Sequence, residues 1–399
     1  MGIKVGIVGT GSFVQGFIPL FKAHPLVDKI VLCDLDSEKL AANARKHQIP
    51  DVSPSLDDLL NTDVDAVVVM TQHWMHAPQA IQALKAGKHV YSAVPAGITL
   101  DEIASLVHTV KETGLVYMIG ETSYYYPEAI YCRGQFAHGA FGHIVYGEAE
   151  YYHDWDHGLY DVAKWRGGKS WMKFAGSPPM HYPTHSTSMI ISVTGSHMTN
   201  VSCLGFIDRS DDGIYQKEAN IYENEFSNQT ALFRMSDGSM CRINEFRRIG
   251  HPGTVRLSLF GTEGSFEHNT QSAVWVTKDA KQKKLLDEQL TCRNVSAKSK
   301  AGRSVDMDLV TAAAGTYLGT APIQPVDRLP ETFIGLPNGH CGSHQFLVDD
   351  FVKACVSGML PPNNIWDAAR YVIPGLVAHE SAKKDGLLLD IPDFGDAPL

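Results

Sequence analysis

No two of the seven cysteines form a C-x-x-C pair. Cys33, Cys132, Cys203, Cys241, Cys292, Cys341 and Cys355 are scattered and odd in number, which argues against both a zinc site and a disulfide framework and fits a reducing cytoplasm. No run of Lys or Arg offers a footprint for a phosphate backbone, and the formal net charge of -10 is spread along the chain rather than gathered in a tail. Nucleic acid is therefore not an expected partner. Nowhere do about 18 apolar residues follow one another, and MGIKVGIVGTG enters a strand with no arginine-flanked apolar segment before it. Neither a membrane span nor a targeting segment is expected. Internal repeats and low-complexity tracts are also missing. What remains is a globular composition, with 399 residues, 44% hydrophobic and 20% charged, long enough for two domains and a large core.

The first third alternates strand and helix patterns. IKVGIVG is a short apolar run ending at glycine, FVQGFIPLFKAH has helical spacing, KIVLCDLD is a second apolar run, and SEKLAANARKHQ reads as a helix. Continuous apolar strands separated by helices predict a buried parallel sheet. DAVVVMTQ, HVYSAV and LVYMIGET add strands, with APQAIQALKAG as a helix between the first two. Thr99 with Glu102 three residues on predicts a capping box for LDEIASLVHTVKETG.

From about Tyr146 the period changes to two. HIVYGEAEYYHDW, EANIYENEFSN, QTALFRMSDGSMCRINEFRR and TVRLSLFGTEGSFEHN alternate and are separated by Asp-Gly or Glu-Gly turns, which predicts an antiparallel sheet. Residues 278–330 are polar and mixed, expected as loops and short helices. SHQFLVDDFVKACVSG and IWDAARYVIPGLVAHESAKKDG are expected as closing helices. The domain limits expected are 1–122 and 123–399, with the late helices 344–384 packing back toward the first domain.

Gly9 and Gly11 in GIVGTGSFVQG lie at a strand end before a helix, where glycine lets the backbone approach a pyrophosphate and the helix start favours its charge. Val14 stands at the third glycine position of G-x-G-x-x-G, so the fingerprint is imperfect, and such a turn is by itself often only a turn. Asp34 ends the next strand, where a carboxylate takes the adenosine ribose hydroxyls and repels a 2′-phosphate, favouring NAD over NADP. A strand-end or capping carboxylate is the plainer alternative. TQHWMH, Thr71 to His76, begins at the end of the fourth strand, where such sheets hold ligands. A helix-capping histidine is the plainer reading for His73.

GTGS, CDLD, TQHWMHAPQAIQALKAGKHV and a following V-P loop are similar in order and spacing to the glucose-fructose oxidoreductase / inositol dehydrogenase / MocA (Gfo/Idh/MocA) superfamily, and the resemblance extends through FGTEGSFE. It implies an α/β Rossmann N-terminal domain plus an α+β C-terminal domain with a large, mostly antiparallel open sheet. It also implies NAD as cofactor, with contacts from Gly9, Gly11, Ser12, Phe13, Asp34, Thr71, His73, His76, Val94, Pro95 and Glu121. A homo-oligomer, dimer or tetramer, formed through the open sheet face is a further implication. Most members read E-K-P where this chain has Ala93-Val94-Pro95, and the lysine commonly assists hydroxyl oxidation. Valine cannot move a proton.

A branch that also lacks the lysine is the NAD-dependent glycosidases, such as the α-N-acetylgalactosaminidases of glycoside hydrolase family 109. AVPAGITLDEI, GETSYYYPEA, FGHIVYGEAEYYHD, YPTHS and NGHCGSHQF resemble that branch. The resemblance implies that Glu121, Tyr182 and His185 face nicotinamide and sugar as catalytic groups, and that cleavage proceeds by transient oxidation at C3 and elimination across C1 and C2. Tyr and His three residues apart share one face if a helix begins at YPTH, with proline stiffening its entry.

His153, Asp154, Trp155, Asp156 and His157 form a polar-aromatic cluster suited to carbohydrate. H-D-x-D-H alternates sides on a strand, so no metal is expected there, and an exposed loop is the plain alternative. Lys164, Trp165, Arg166 and Lys169 follow, with charge suited to an acidic substituent or simply to solvent. Tyr124 and His344 complete the expected substrate contacts. Two other functions stay open, a net NAD-dependent sugar or glycoside 3-dehydrogenase and a non-catalytic nucleotide-binding protein.

Overall fold

The structure, a computed structural model, describes residues 2–293 and 316–398. Two compact units emerge. One comprises Met1–Ile130, Glu288–Ala368 and Phe394–Leu399; the other comprises Tyr131–Asp287 and Ala369–Asp393. The boundary expected between 122 and 123 thus falls inside the first unit, and residues 288–368 cluster with that unit rather than with the second. The cause is apolar burial, because the helix Ser343–Ser357 shares one core with the sheet, with Phe346, Leu347 and Phe351 joining Phe17, Phe21 and Tyr91. The last long helix, Ile365–Ala382, is divided between the units at Ala368.

In the first unit, strands β1 (Ile3–Val8), β2 (Val27–Cys33), β3 (Val52–Ser53), β4 (Ala66–Val69), β5 (His89–Ser92) and β6 (Tyr117–Ile119) form one sheet in the order β3-β2-β1-β4-β5-β6. Every pairing is parallel. β1 lies between β2 and β4, so the strand order reverses there and the chain ends of β1, β2 and β4 open a crevice. Helices α1 (Ile18–Ala23), α2 (Ser37–His47), α3 (Leu56–Leu60), α4 (His73–Lys85) and α5 (Leu100–Thr113) connect them. The capping box forms with a one-residue offset: Glu102 N–H donates to Thr99 Oγ1, while Glu102 Oε2 reaches back to Ile98 N–H at 2.7 Å. The single helix expected over FVQGFIPLFKAH is instead a 3-10 turn, Phe13–Gly16, followed by the short α1. Pro19 sits in the first turn of α1, a position that starts a helix rather than continues one.

The second unit holds a nine-stranded sheet. Its strands are β7 (Ile144–Tyr152), β8 (Met198–Ile207), β9 (Phe226–Met235), β10 (Met240–Phe246), β11 (Thr254–Gly261), β12 (Gly264–His268), β13 (Ala273–Thr277), β14 (Lys283–Leu285) and β15 (Leu389–Asp390), in the order β14-β13-β12-β11-β7-β10-β9-β8-β15. All pairings are antiparallel except β7 with β10. Asp237-Gly238 and Glu263-Gly264 turn the chain as expected, Gly238 at φ 88°. One face is core, built from residues such as Val201, Ala231, Phe233, Cys241 and Ile243. Helix α6 (Pro127–Ala137) leads into this unit, and α7 (Leu159–Gly167), α8 (Trp171–Ala175) and α9 (Thr184–Thr194) follow β7. Of the polar stretch 278–330, residues 294–315 lie outside the described residues.

Candidate active site

In the first unit, the candidate cofactor site is the strand-end face of the parallel sheet. Gly9 has φ +89°, and a side-chain carbon built on it would lie 2.7 Å from Met70 O, so only glycine fits where β1 turns away. Thr10 N–H and Oγ1–H each donate to Asp34 Oδ2 at 2.8 Å, and Lys39 Nζ lies 2.9 Å from the same oxygen. Oδ1 accepts from Asp36 N–H at 3.1 Å, which leaves acceptor capacity for a ribose hydroxyl. Burial pushes the Asp34 carboxyl up, but the bonds from Thr10, Lys39 and Asp36 outweigh it and hold the group below the ordinary 3.8. Gln15 Nε2–H donates to Gly11 O, and Asn43 Nδ2–H donates to Thr10 O. These amides bind carbonyls that would otherwise repel a phosphate. The glycine turn and a fixed anionic Asp34 therefore suit a dinucleotide with a free 2′-hydroxyl. Ser12 is exposed, and Phe13, 37% exposed, leans on Phe17 with ring centroids 5.2 Å apart.

Further along the same face, His76 is buried and ties two loops. Its Nδ1 lies 2.8 Å from Pro95 O and its Nε2 3.1 Å from Thr71 O. Thr71 Oγ1 donates to Gln79 Oε1, and His73 opens α4 with its ring 5.8 Å from that of His76 at 62°. Val94 and Pro95, joined by a cis peptide, are buried. Glu121 follows β6 fully buried and caps the next 3-10 turn, its Oε1 accepting from Ser123 N–H at 2.8 Å. Burial first and the Glu121 charge second raise the Tyr91 phenol well above its ordinary range. Tyr124, in that turn, packs at right angles to Tyr125. His344 is buried and stacks on Phe17, so it does not present a surface for a sugar.

A separate cluster, in the second unit, lies where α9 meets β7 and β10. Tyr182 precedes the helix, with Pro183 at its N-cap position. The rings of Tyr182 and His185 stand 5.3 Å apart at 75°, and Tyr151 from β7 stands 5.1 Å from His185 at 87°. The helix begins at Thr184, so Tyr182 lies outside it and the two rings meet across the turn at Pro183 rather than on one helical face, with a second phenol beside them. Tyr151 Oη lies 2.7 Å from His153 Nδ1, and the Arg247 guanidinium covers the Tyr151 ring at 4.8 Å. Burial, with Arg247 adding to it, lowers His153 to about 4, so its ring is neutral and accepts at Nδ1 when the phenol donates. Beneath them Glu245 is fully buried between Ser186 Oγ–H at 2.6 Å and Arg247 Nη2 at 3.1 Å. Burial lifts its carboxyl to about 7 against the opposing pull of Arg247, Ser186 and His185.

The polar-aromatic cluster is not a loop open to carbohydrate. Trp155 is 4% exposed, its Nε1–H donates to Tyr215 Oη at 3.0 Å, and Arg248 covers its ring at 5.7 Å. The stacking platform expected of it is therefore a core residue, packed with Ile214 and Tyr215. Asp154 caps the short turn Trp155–His157 and accepts from Ile249 N–H at 2.6 Å. Lys164, Trp165 and Arg166 sit on α7 and are exposed, and Lys169 follows in a 3-10 turn. The Lys164 ammonium lies over the Tyr160 and Trp171 rings.

Thr10, Lys39, Tyr151, Arg247, Glu245 and His340 join these clusters without having been singled out in the sequence. Thr10 is the free position between two glycines, and His340 lies inside NGHCGSHQF. Tyr151 and Glu245 are register partners across β7 and β10, a pairing that no local pattern signals. Among the described residues no cluster of His, Cys, Asp or Glu could hold a metal ion, and no helix is long and apolar enough to cross a membrane.

Residues 3–121 match the model of an oxidoreductase family with an NAD-binding Rossmann fold, Gfo/Idh/MocA. A glycosyl hydrolase family 109 protein of Saccharopolyspora erythraea is 32% identical over 197 residues, 46% of this chain and 42% of that protein, so the match spans less than half of the relative. One from Streptomyces niveus is 24% identical over 98% of this chain and 77% of its own length. Among solved structures, levoglucosan dehydrogenase in complex with NADH and levoglucosan superposes with a TM-score of 0.74 at 20% identity, covering 99% of this chain and all of that one. Myo-inositol 2-dehydrogenase from Lactobacillus plantarum gives 0.70 at 17% identity over 98% of this chain and all of that one. At such identities the likeness establishes the two-unit fold. The glycine turn and Asp34 lie within the stretch that matches the NAD-binding Rossmann fold of the Gfo/Idh/MocA oxidoreductases, and it is this part of the chain that carries the family's signature.

Proposed function

We propose that this protein is an NAD-dependent, redox-neutral glycoside hydrolase. The observation that carries the reading is the Tyr182–His185 pair, packed ring against ring beside Tyr151 in a chain whose Val94 stands where a lysine would handle the proton. The family 109 name of relatives, one of them matched over 98% of this chain, supports it. NAD would supply a hydride acceptor at C3 of the sugar and return the hydride at the end, so the net redox change is zero. The chain itself must remove the C3 hydroxyl proton, remove the C2 proton once C3 is a ketone, protonate the group leaving C1, take a proton from the water that replaces it, and give protons back to C2 and, as the hydride returns, to the C3 oxygen. Tyr182 and His185 are the proposed proton-transfer groups, an imidazole being suited to the task near neutral pH. Glu121 is proposed as a buried carboxylate on the cofactor side. Exposed Trp165, with Lys164 and Arg166, is proposed to meet the outer part of the glycoside.

A second reading, a net sugar dehydrogenase, is favoured by the likeness to levoglucosan and inositol dehydrogenases and uses only the oxidising half of the same groups. Incubation with NAD and aryl glycosides of both anomers, following aglycone and NADH together, separates them. Aglycone release without NADH accumulation, lost in His185→Ala, supports hydrolysis. NADH accumulating with intact or 3-keto glycoside replaces that reading with dehydrogenation.

A further inference from the structure

We infer that Cys292 and Cys341 are a reversible redox pair, and that a disulfide between them fastens the turn 340–342 to the segment that carries Cys292. Both belong to the first unit. Cys33, Cys132, Cys203 and Cys241 are buried thiols, whereas Cys292, Cys341 and Cys355 are thiols that reach the surface in part. Cys292 and Cys341 are in hydrogen-bond contact, and that contact, ahead of burial, is the main influence holding the proton on Cys292. The backbone brings the two together at Thr320. Arg293 N–H donates to Thr320 O at 3.2 Å, and a side-chain carbon built on Gly342 would lie 2.8 Å from Thr320 Cγ2. The neighbour of each cysteine therefore rests on the same residue. Gln324 holds the other side of the turn, its Nε2 donating to Cys341 O at 2.6 Å and to Tyr125 O at 2.8 Å while its Oε1 accepts from Ala321 N–H at 2.8 Å. Cys341 itself has φ +50°, left-handed backbone where glycine is the usual choice. A side chain is carried there against that preference, and its sulfur meets a second thiol.

In a reducing compartment such a pair is oxidised transiently rather than permanently. The oxidant is a low-molecular-weight disulfide such as oxidised glutathione. The Cys341 thiolate attacks one of its sulfurs, and a mixed disulfide forms as one glutathione leaves. Cys292 then gives up its proton to the departing thiolate or to water and attacks the Cys341 sulfur, expelling the second glutathione. Two S–H bonds are lost, one S–S bond of about 2.0 Å is made, and the glutathione disulfide is reduced to two thiols. The first attack falls to Cys341 because the contact between the two sulfurs keeps the proton on Cys292. The turn so fastened carries His340, whose ring stands nearly perpendicular to Phe13 at 5.8 Å. Oxidation thus acts one residue away from a ring that packs against the glycine turn.

Peptide mapping of the full chain tests this. The protein is reduced, freed of reductant, exposed to oxidised glutathione, and its remaining thiols are alkylated after unfolding. The expected map has one new cross-link, Cys292 to Cys341, with the other five cysteines alkylated, and dithiothreitol restores both thiols. Both cysteines still alkylated after oxidation, stable glutathione on each of them, or a cross-link to Cys355 instead would overturn the pairing, and a link that dithiothreitol leaves intact would overturn its reversibility. Cys292→Ser is expected to stop at the mixed disulfide, with glutathione on Cys341; an unmodified Cys341 in that variant overturns the order of attack. Hydrogen exchange reads the fastening in the wild type, without any substitution. The Ser343 amide, which donates to His340 O at 3.1 Å across the turn, should exchange severalfold more slowly in the oxidised protein than in the reduced one. Equal rates would show that the bond forms without holding the turn.

Discussion

Ser186 Oγ–H donates to Glu245 Oε1 at 2.6 Å, so the residue next to His185 is tied to a fully buried carboxyl group. That carboxyl is lifted to about 7 by burial, and the Ser186 bond is among the influences pulling it down. Removing the bond with Ser186→Ala should keep Glu245 protonated to higher pH. If ionised Glu245 supports turnover, the acid limb of the pH–rate profile moves upward in Ser186→Ala and disappears in Glu245→Gln. A limb that stays in place in both variants would remove Glu245 from the proton network.

His185→Ala and Tyr182→Phe are expected to lower kcat by roughly 10²- to 10⁴-fold, the usual range for a lost acid or base. NAD affinity should stay within about twofold, since both residues belong to the second compact unit and the glycine turn to the first. Equilibrium binding of NAD alongside steady-state kinetics checks the split.

Asp34→Ala removes a carboxylate that now takes two bonds from Thr10 and a third contact from Lys39. Loss of a charged hydrogen-bonding partner, about 1.5–3 kcal/mol, predicts NAD binding weaker by roughly 10- to 100-fold. With the repelling charge gone and Lys39 released, NADP should bind more tightly than to the wild type. Titration with both nucleotides measures this. An unchanged ratio between them would mean that Asp34 serves only the turn.

Acid should destabilise the second unit. Burial lowers His181 to about 3 and His153, His268 and His379 to about 4, from an ordinary 6.5. The unfolded chain binds protons to these groups below 6.5 while the folded one does not, so stability is present above that value and falls as pH drops toward 4. Each contributes up to about 1.4 kcal/mol per pH unit in that window. Glu245, raised to about 7, acts in the opposite sense over 4.5 to 7, but it is one group against four. Tm should therefore fall between about pH 7 and pH 5, with a shallower slope in His181→Phe. A Tm that rises on acidification would show the carboxyls to dominate.

The open face of the nine-stranded sheet carries exposed Leu204, Phe206, Leu232 and Met240 on adjacent strands. These apolar side chains, interleaved with Arg234, Arg242 and Asn228 on the same face, suit an association surface, and a second copy of the chain is the proposed cover. Leu232→Glu should shift the sedimentation profile toward monomer without lowering Tm by more than about 1 kcal/mol equivalent, as expected of a surface position. A wild-type protein that sediments as a monomer would refute it.

The parallel-sheet unit was legible because its strands are buried on both faces and read as uninterrupted apolar runs, and because Gly9, Asp34 and the Thr99–Glu102 box are local signals. The split of the first helix was legible in principle from Pro19. Trp155 was misread because an aromatic among charges looks exposed until Tyr215 and Arg248, far away in sequence, close over it. The Tyr151, Arg247 and Glu245 cluster depends on β7 running parallel to β10, which no period-two pattern distinguishes from an antiparallel partner. The limits 1–122 and 123–399 assigned residues 288–368 to the second domain while expecting helices 344–384 to pack back toward the first; Ser343–Ser357 shares the core of the parallel sheet, and the limit drawn at 122 did not follow from that packing.

A sheet of nine strands ends somewhere, and its last strands decide whether it keeps recruiting more. Here the outermost members are β14, only Lys283–Leu285 and exposed, and β15, only Leu389–Asp390. Two lysines on one flank, and on the other a strand too brief to template a neighbour, discourage strand-by-strand accretion. The broad sheet can thus leave one face uncovered for association without inviting fibrous growth from its margins.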